Sequence, residues 1–200
     1  ADAAALRRRA GIGDSSMRVV QQALAGEVPE YLAELRARFA PSSSALRARL
    51  RGDLHCHSNW SDGTTSIAEM VTAARGLGHE YLALTDHSPR LRVANGLTAE
   101  RLRAQLAELP AFTDERFALL SGIEVDILDD GRLDQERAML DRLDVVVASV
   151  HSKLRMEHAP MTRRMVAAIA SGRVNVLGHV TGRLSRGERG RPHPAPFDAR

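Results

Sequence analysis

From residue 53 onward, short apolar runs alternate with longer segments that mix polar and apolar residues. Each run is too short for a helix and is apolar at almost every position, which is typical of a strand buried on both faces of a parallel sheet. The pattern predicts five strands. They are DLHCH (53–57), EYLALTDH (80–87), FALLSGIE (117–124), DVVVASVH (144–151) and RVNVLGH (173–179).

The segments between these runs have apolar residues at the spacing of one helix face. The faces are Ile67, Met70, Val71 and Ala74, then Leu102, Leu106 and Leu109, then Met165, Val166 and Ile169, the last followed by a stop at Gly172. Strands that alternate with helices predict right-handed crossovers and a parallel sheet. The fold class is therefore α/β.

The first 50 residues differ in composition from the rest. They are rich in Ala and Arg and have a helical pattern, with a break at the serines 42–44. We therefore expect a helical lead-in over residues 1–50 and a separate α/β domain over residues 51–200.

Composition narrows the class of protein. The 200 residues are 44% hydrophobic, which is enough for an ordinary core, and no apolar run approaches the ~18 residues needed to span a bilayer. The start of the chain lacks the pattern of a secretory signal, and the single cysteine excludes an internal disulfide. We expect a cytoplasmic protein with no membrane partner.

The basic residues are almost all arginine, since Lys153 is the one lysine among 28 basic side chains. Arginine binds phosphate through two parallel hydrogen bonds, which favours a nucleic-acid partner. A genome rich in G and C would produce the same bias, so both explanations remain open at a net charge of only +3.

A side chain that can bind a metal stands at the end of every predicted strand. In parallel α/β folds, ligands and catalytic groups gather where the strands end. One histidine at a strand end is usually an ordinary polar residue, but five strands in succession predict a shared site. Its members are His55 and His57, His87, Glu124, His151 and His179.

Two metals or more are expected at this site. His55 and His57 are two residues apart, so both point to one side of the strand, whereas Cys56 points to the other and is expected to be buried. With Asp62, the nitrogen and oxygen donors suit zinc, manganese or iron and are too many for one ion. Glu124, the one strand-end carboxylate, is predicted to bridge two of the metal ions.

Paired cations favour displacement at phosphorus, so the expected substrate is a phosphoester. Basic side chains that follow the strands are candidates to bind it, although each alone is more often a surface charge. They are Arg90, Arg92, Lys153 and Arg183. Glu124 and Asp86 are the candidate catalytic carboxylates, and Asp86 either orients the adjacent His87 or caps the turn that follows.

Five ordered motifs resemble those of the PHP (polymerase and histidinol phosphatase) superfamily. They are DLHCHSNWSDG, LALTDHS, GIEVDIL, VVVASVHS and VLGHVTGRL. The segment SPRLRVANGL is similar to the PHP domain at the C-terminus of bacterial family X DNA polymerases and to its stand-alone relatives.

The resemblance implies a distorted TIM-like (βα)7 barrel with a trinuclear metal centre that hydrolyses phosphoesters. It implies two or three zinc or manganese ions, with iron as an option. His55, His57 and Glu124 would hold one metal, and Glu124, His151 and His179 a second. Asp62 and His87 would hold the third.

One family feature is missing from the sequence. The family closes its site with a late Asp-x-His motif, and none follows His179. We therefore expect a barrel that is incomplete at its C-terminus. The chain is either a truncated piece of a longer product or is completed by another chain.

The lead-in resembles, more weakly, half of a helix-hairpin-helix motif. Gly11 and Gly13 precede a helix capped by Asp14 or Ser15, and backbone N–H groups at such a turn can bind a DNA phosphate. A helical lead-in with an ordinary glycine turn explains the same residues equally well.

Three functions remain open. The leading hypothesis is a metal-dependent phosphoesterase acting on DNA, either a 3′-5′ exonuclease or a 3′-phosphatase. A small-molecule phosphatase of the histidinol-phosphate type is the second. A catalytically inactive binding module is the third, and the missing motif is its best support.

Overall fold

The computed structural model describes residues 12–38 and 45–180. The chain divides into two compact units, Ala1–Arg49 and Leu50–Arg200. The described part of the first unit contains helices α1 (Asp14–Leu24) and α2 (Glu30–Arg38), followed by a short 3-10 turn. Helix α1 is capped by the backbone of Gly13 without a side-chain hydrogen bond. The prediction that Asp14 or Ser15 caps it is therefore wrong.

The second unit is built on a sheet of five parallel strands in the order of the sequence. These are β1 (Gly52–Cys56), β2 (Tyr81–Leu84), β3 (Ala118–Asp126), β4 (Val145–Ser149) and β5 (Val176–Leu177). The α/β class and the five parallel strands are confirmed. The sheet curls into a half-barrel, which is consistent with an incomplete barrel of the expected kind.

Four α-helices lie between the strands in sequence: α3 (Ile67–Gly76), α4 (Ala99–Glu108), α5 (Arg137–Leu140) and α6 (His158–Ala170). Helix α3 begins at a reciprocal capping box, in which Ser66 accepts from the Glu69 backbone and the Glu69 side chain accepts from Ser66. Thr98 caps α4 by accepting a hydrogen bond from the Arg101 backbone. No helix in the described ranges is long and apolar enough to cross a membrane.

Two of the predicted helix faces are largely buried as expected. Ile67, Val71 and Ala74 of α3 pack into one cluster with strand β2, and Leu102 of α4 belongs to a second cluster. In β3 and β4, Ile123, Val125 and Val147 have no exposed surface. The centre of the sheet is therefore a closed apolar layer, and it holds the end of β3 in place.

The face predicted for α6 is wrong at two positions. Met165 is buried, but Val166 and Ile169 are 55% and 49% exposed. The buried face instead consists of Met161, Arg164, Met165 and Ala168. Each residue turns a helix by about 100°, so these four positions lie on one face. Because one of them is an arginine, the buried face is not uniformly apolar, and hydrophobic periodicity alone does not locate it.

Candidate metal centre

The centre is organised around Glu124, whose side chain is buried at the carboxyl end of β3. Five imidazoles from the other strand ends surround its carboxylate. The nearest nitrogen–oxygen distances are 2.8 Å for His179, 3.0 Å for His87, 3.3 Å for His57, and 3.4 Å for both His55 and His151. The curled sheet thus brings segments far apart in the sequence to one carboxylate.

The donor atoms fall into overlapping groups of three. Three such groups have all their donor atoms within 4.8 Å of one another: His55–His57–Glu124, His57–Asp62–His87 and His87–Glu124–His151. His179 joins the last group, because its Nε2 lies 3.3 Å from His151 Nε2. The structure therefore gathers all seven side chains that the sequence singled out as candidate ligands.

The chemistry of the donors fits a cation. His57 Nδ1 and His87 Nδ1 are buried and have no hydrogen-bond partner among the described residues. They nevertheless face carboxylates, at 3.5 Å from Asp62 Oδ1 and 3.0 Å from Glu124 Oε2 respectively. Buried polar atoms are nearly always satisfied, so these two nitrogens indicate that a ligand belongs between them and the carboxylates.

The strand geometry separates ligands from non-ligands at the first motif. The Nε2 atoms of His55 and His57 lie 3.2 Å apart on one side of the strand. The Cys56 thiol contacts the carbonyl oxygen of Ala83 instead, at 3.1 Å. Burial raises the pKa of that thiol to about 12, and its direction toward Ala83 keeps it away from the cluster.

The cluster strongly favours an ionised carboxylate. Burial alone would raise the pKa of Glu124, but hydrogen bonds with His151, His179 and His55 outweigh burial and hold that pKa well below its usual range. Burial lowers the pKa of His87 and keeps it neutral. An ionised carboxylate and a neutral imidazole are the forms that donate electron pairs to metals.

Asp126 is a site residue that we did not predict. Its Oδ1 lies 2.5 Å from His151 Nδ1, on the side of the ring opposite the nitrogen that faces Glu124. Despite the burial of His151, its contacts with Asp126 and Glu124 raise its pKa to about 9. The signal was present in the sequence, because Asp126 follows Glu124 by two residues and points to the same side of β3.

Asp86 makes its contacts away from the imidazoles. Its buried carboxylate accepts hydrogen bonds from the Ser58 and Ser61 hydroxyls at 2.6 and 2.5 Å, and from the Gln105 amide at 2.6 Å. Among the described residues, its hydrogen bonds do not include His87. Asp86 therefore fixes the turn that leads to Asp62.

The backbone before His179 is shaped to reach the cluster. His179 has a φ of +29°, a left-handed value that is unusual for a residue with a side chain. A Cβ built on the preceding Gly178 would overlap the Ser149 hydroxyl and lie 3.4 Å from Glu124 Oε1. Glycine is therefore needed for the close approach, and such strain is typical of functional sites.

Two adjoining depressions open from the centre. The first, about 440 Å³, contains the seven candidate ligands together with Leu91, Val93 and Ala94. The second, about 460 Å³, is lined by Arg90 and Arg92 and shares Leu91 and His151 with the first. Two of the predicted substrate-binding arginines thus lie beside the cluster.

The other predicted binding residues are placed less favourably or lie outside the described ranges. Lys153 forms an ion pair with Asp129 at 2.5 Å and is 62% exposed. Gly13 is at the N-terminus of α1, in the first unit. Gly11 and Arg183 lie outside the described residues.

A buried arginine secures the loops after β3 and β4. Arg164 of α6 donates to the carbonyl oxygens of Ile127, Leu128 and Ser152, and its side chain has no exposed surface. These loops directly follow Asp126 and His151. Arg164 therefore helps to hold Asp126 and His151 in position relative to each other.

Comparison with known families matches residues 53–192 to the PHP domain. The chain belongs to the PHP domain family. It is 46% identical over 138 residues to the DNA polymerase/3'-5' exonuclease PolX of Bacillus subtilis (strain 168), covering 68% of this chain and 24% of that protein. The resemblance to the PHP domain of family X polymerases is thereby confirmed.

A second kind of relative is named a phosphatase. The chain is 31% identical over 131 residues to Probable phosphatase YcdX of Escherichia coli O81 (strain ED1a), and equally to that of Escherichia coli O127:H6 (strain E2348/69 / EPEC). The match covers 64% of this PHP chain and 52% of each relative. The chain thus spans about half or less of the relatives it matches. Together, family and relatives support a metal-dependent hydrolase of phosphoester bonds.

Proposed function

We propose that this PHP domain hydrolyses phosphoester bonds of DNA at a 3′ end, as an exonuclease or as a 3′-phosphatase. The observation that carries the proposal is the contact of five imidazoles with the buried carboxylate of Glu124. A cluster of this composition suits divalent cations that act on phosphoesters.

We propose that the donor groups hold two or three zinc, manganese or iron ions. His55, His57 and Glu124 would hold one, and Glu124, His151 and His179 a second. Asp62 and His87 would hold a third. The donor atoms of His57, Asp62 and His87 all lie within 4.8 Å of one another, which supports this third position. When bound, such cations lower the pKa of a bound water and stabilise charge on the phosphoryl oxygens.

The residues around the cluster bind and orient. Asp126 holds the His151 ring through Nδ1, which leaves Nε2 free to face Glu124. Arg90 and Arg92 line the adjoining depression and would neutralise substrate phosphates. Asp86, a candidate catalytic carboxylate by its place in the sequence, has contacts that suit a role in positioning Asp62 better.

DNA is favoured as the substrate by two observations. The name of the B. subtilis relative assigns a 3'-5' exonuclease to that protein. The arginine-lined depression also continues from the cluster, where further phosphates of a strand would lie. Gly11, Gly13 and Arg183 remain proposed as additional DNA contacts.

The decisive experiment incubates the purified protein with 5′-labelled single-stranded DNA and manganese. We expect a ladder of shortened products, or loss of a 3′-terminal phosphate without shortening. Intact DNA together with rapid hydrolysis of a small phosphomonoester would reject the DNA substrate.

Replacement of the central carboxylate tests the assignment of the cluster. Glu124→Gln removes the charge but preserves the shape, so both metal content and hydrolysis should fall, the latter by roughly 100-fold or more. Metal content is measured by elemental analysis. The exposed Glu115→Gln is the matched control and should behave as wild type. Full metal content in Glu124→Gln would refute the bridging role.

A small-molecule phosphatase is the second candidate, favoured by the YcdX relatives and by the size of the cavity. A volume of about 440 Å³ suits a small ligand. An inactive binding module is the third, and metal analysis discriminates it. Two or three ions per chain would argue against it, whereas one or none would support it.

A further inference from the structure

The loop after β2 is fixed to the sheet at both ends. At its start, the Ser88 backbone donates to the Glu124 carbonyl oxygen at 3.0 Å. At its end, the Leu97 backbone donates to the His87 carbonyl oxygen at 2.7 Å. Residues 88–97 therefore form a closed loop whose base is anchored beside two of the candidate ligands.

The sides of this loop are also secured. Arg101 donates to the Asn95 carbonyl oxygen at 2.8 Å and to the Trp60 carbonyl oxygen. Asn95 adopts a left-handed φ of +54° and itself donates to the Trp60 carbonyl oxygen. Gly96 packs so closely on the Ser88 carbonyl that a Cβ would overlap it. These contacts hold the loop in one conformation.

At the tip of the loop, one valine is left in solvent. Val93 is 95% exposed, whereas the adjacent Ala94 is 5% exposed. Val93 lines the histidine cavity, together with Leu91 and Ala94. A fixed loop thus presents an apolar surface at the rim of a cavity whose other lining residues are all histidines and carboxylates.

The tip also divides the two depressions. Val93 lines the cavity that contains the candidate ligands, whereas Arg90 and Arg92 line the neighbouring one. The loop therefore offers an apolar contact beside the reacting position and positive charge beyond it. Nucleic-acid strands carry the matching alternation of bases or sugars with phosphates.

We propose that Val93 is a specificity-determining contact for the base of the nucleotide whose phosphate lies over the histidine cluster. This inference rests on the proposed function. A simple sugar phosphate would have no apolar face to bury against Val93, and the exposed side chain would then gain nothing from binding. A nucleotide would cover it.

Binding of paired oligonucleotides tests the proposal. One oligonucleotide ends in a normal 3′ nucleotide and the other in an abasic 3′ residue. Both carry a phosphorothioate at the terminal linkage so that they resist cleavage, and fluorescence anisotropy gives both dissociation constants with the metal-loaded protein. We expect wild type to prefer the normal end by about tenfold, in line with one buried apolar contact. Val93→Ser should abolish the preference, and Val93→Leu should retain it.

A matched control comes from helix α6. Val166→Ser changes another exposed valine away from the cavity and should leave both the preference and the hydrolysis of glycerol phosphate unchanged. Thermal unfolding of each variant verifies that it is folded. A preference that persists in Val93→Ser, or that is absent from wild type, would overturn the role of Val93.

The outcomes also separate this inference from the proposed function. If wild type cleaves no DNA but hydrolyses glycerol phosphate, the DNA proposal fails. The ratio of dissociation constants reports on Val93 without requiring cleavage. Loss of the ratio in Val93→Ser with intact cleavage would support both proposals, and an unchanged ratio with intact cleavage would reject the role of Val93 alone.

Discussion

At the scale of single residues, the centre depends on side chains that are held in one orientation. Glu124 is buried against five imidazoles, and Asp126 fixes the ring of His151 from behind. A carboxylate that accepts a hydrogen bond from the ring nitrogen facing away from the metal selects the tautomer of a histidine and raises its basicity as a ligand. Residues such as Asp126 therefore matter for metal affinity although they bind no metal themselves.

Asp126→Asn tests this support. The amide is uncharged and accepts the hydrogen bond from His151 Nδ1 more weakly than a carboxylate does, so metal affinity should fall by roughly 10- to 100-fold. Competition with a coloured chelator measures the affinity. Asp141→Asn is the control, because Asp141 is half exposed and pairs with Arg173 in another part of the domain. Equal affinity in Asp126→Asn and wild type would contradict the support role.

Cys56→Ala tests the separation of ligands by strand face. Because the Cys56 thiol is partly buried and directed at the Ala83 carbonyl oxygen, metal content per chain should equal that of wild type. Stability should fall by about 1 kcal/mol because a small buried group is removed. Elemental analysis provides the measurement, and the loss of one ion per chain would make the thiol a ligand after all.

At the scale of elements, each strand of the sheet contributes one or two groups, and the following loops are held by helices. Arg164 of α6 is an example, because its buried guanidinium donates hydrogen bonds to the loops after β3 and β4. A fully buried arginine is costly unless its donors are satisfied, and carbonyl oxygens satisfy these.

Arg164→Met should lower the free energy of unfolding by about 3 kcal/mol. The substitution leaves the carbonyl oxygen of the buried Ile127 without its donor and removes the hydrogen bonds to Leu128 and Ser152, and the loss of one buried donor alone costs about 1–3 kcal/mol. Denaturant unfolding provides the measurement. The neighbouring Arg163 is exposed, so Arg163→Met should stay within about 0.5 kcal/mol of wild type. Similar effects of both substitutions would show that the loops do not depend on Arg164.

At the scale of the whole molecule, the cluster joins all five strand ends of the second unit. The groups around Glu124 come from residues as far apart as His55 and His179. Cations bound there would stabilise the folded chain, because the unfolded chain does not keep these donors together.

Removal of metal should therefore lower the thermal midpoint of unfolding. One site at a hundredfold excess over its dissociation constant contributes about 2.7 kcal/mol, which corresponds to a shift of roughly 5–10 °C in a domain of this size. Scanning calorimetry with and without a chelator measures it. The midpoint of Glu124→Gln should change less on addition of the chelator. A wild-type midpoint that is the same with and without the chelator would contradict the prediction.

The sequence by itself determined the features that follow from local periodicity. Apolar runs located the five strands, and their alternation with helices predicted a parallel sheet. Because parallel strands end at one edge, the residues that follow them could be assigned to one site without coordinates. The two-residue period of a strand placed His55 with His57 and excluded Cys56.

Only the tertiary structure decided which side chains meet across long separations. It paired Asp126 with His151, placed Asp86 among Ser58, Ser61 and Gln105, and buried Arg164 beneath two loops. It also left Val93 exposed at the rim of the cavity. These outcomes depend on the curl of the sheet and the packing between distant segments, and local periodicity carries no information about either.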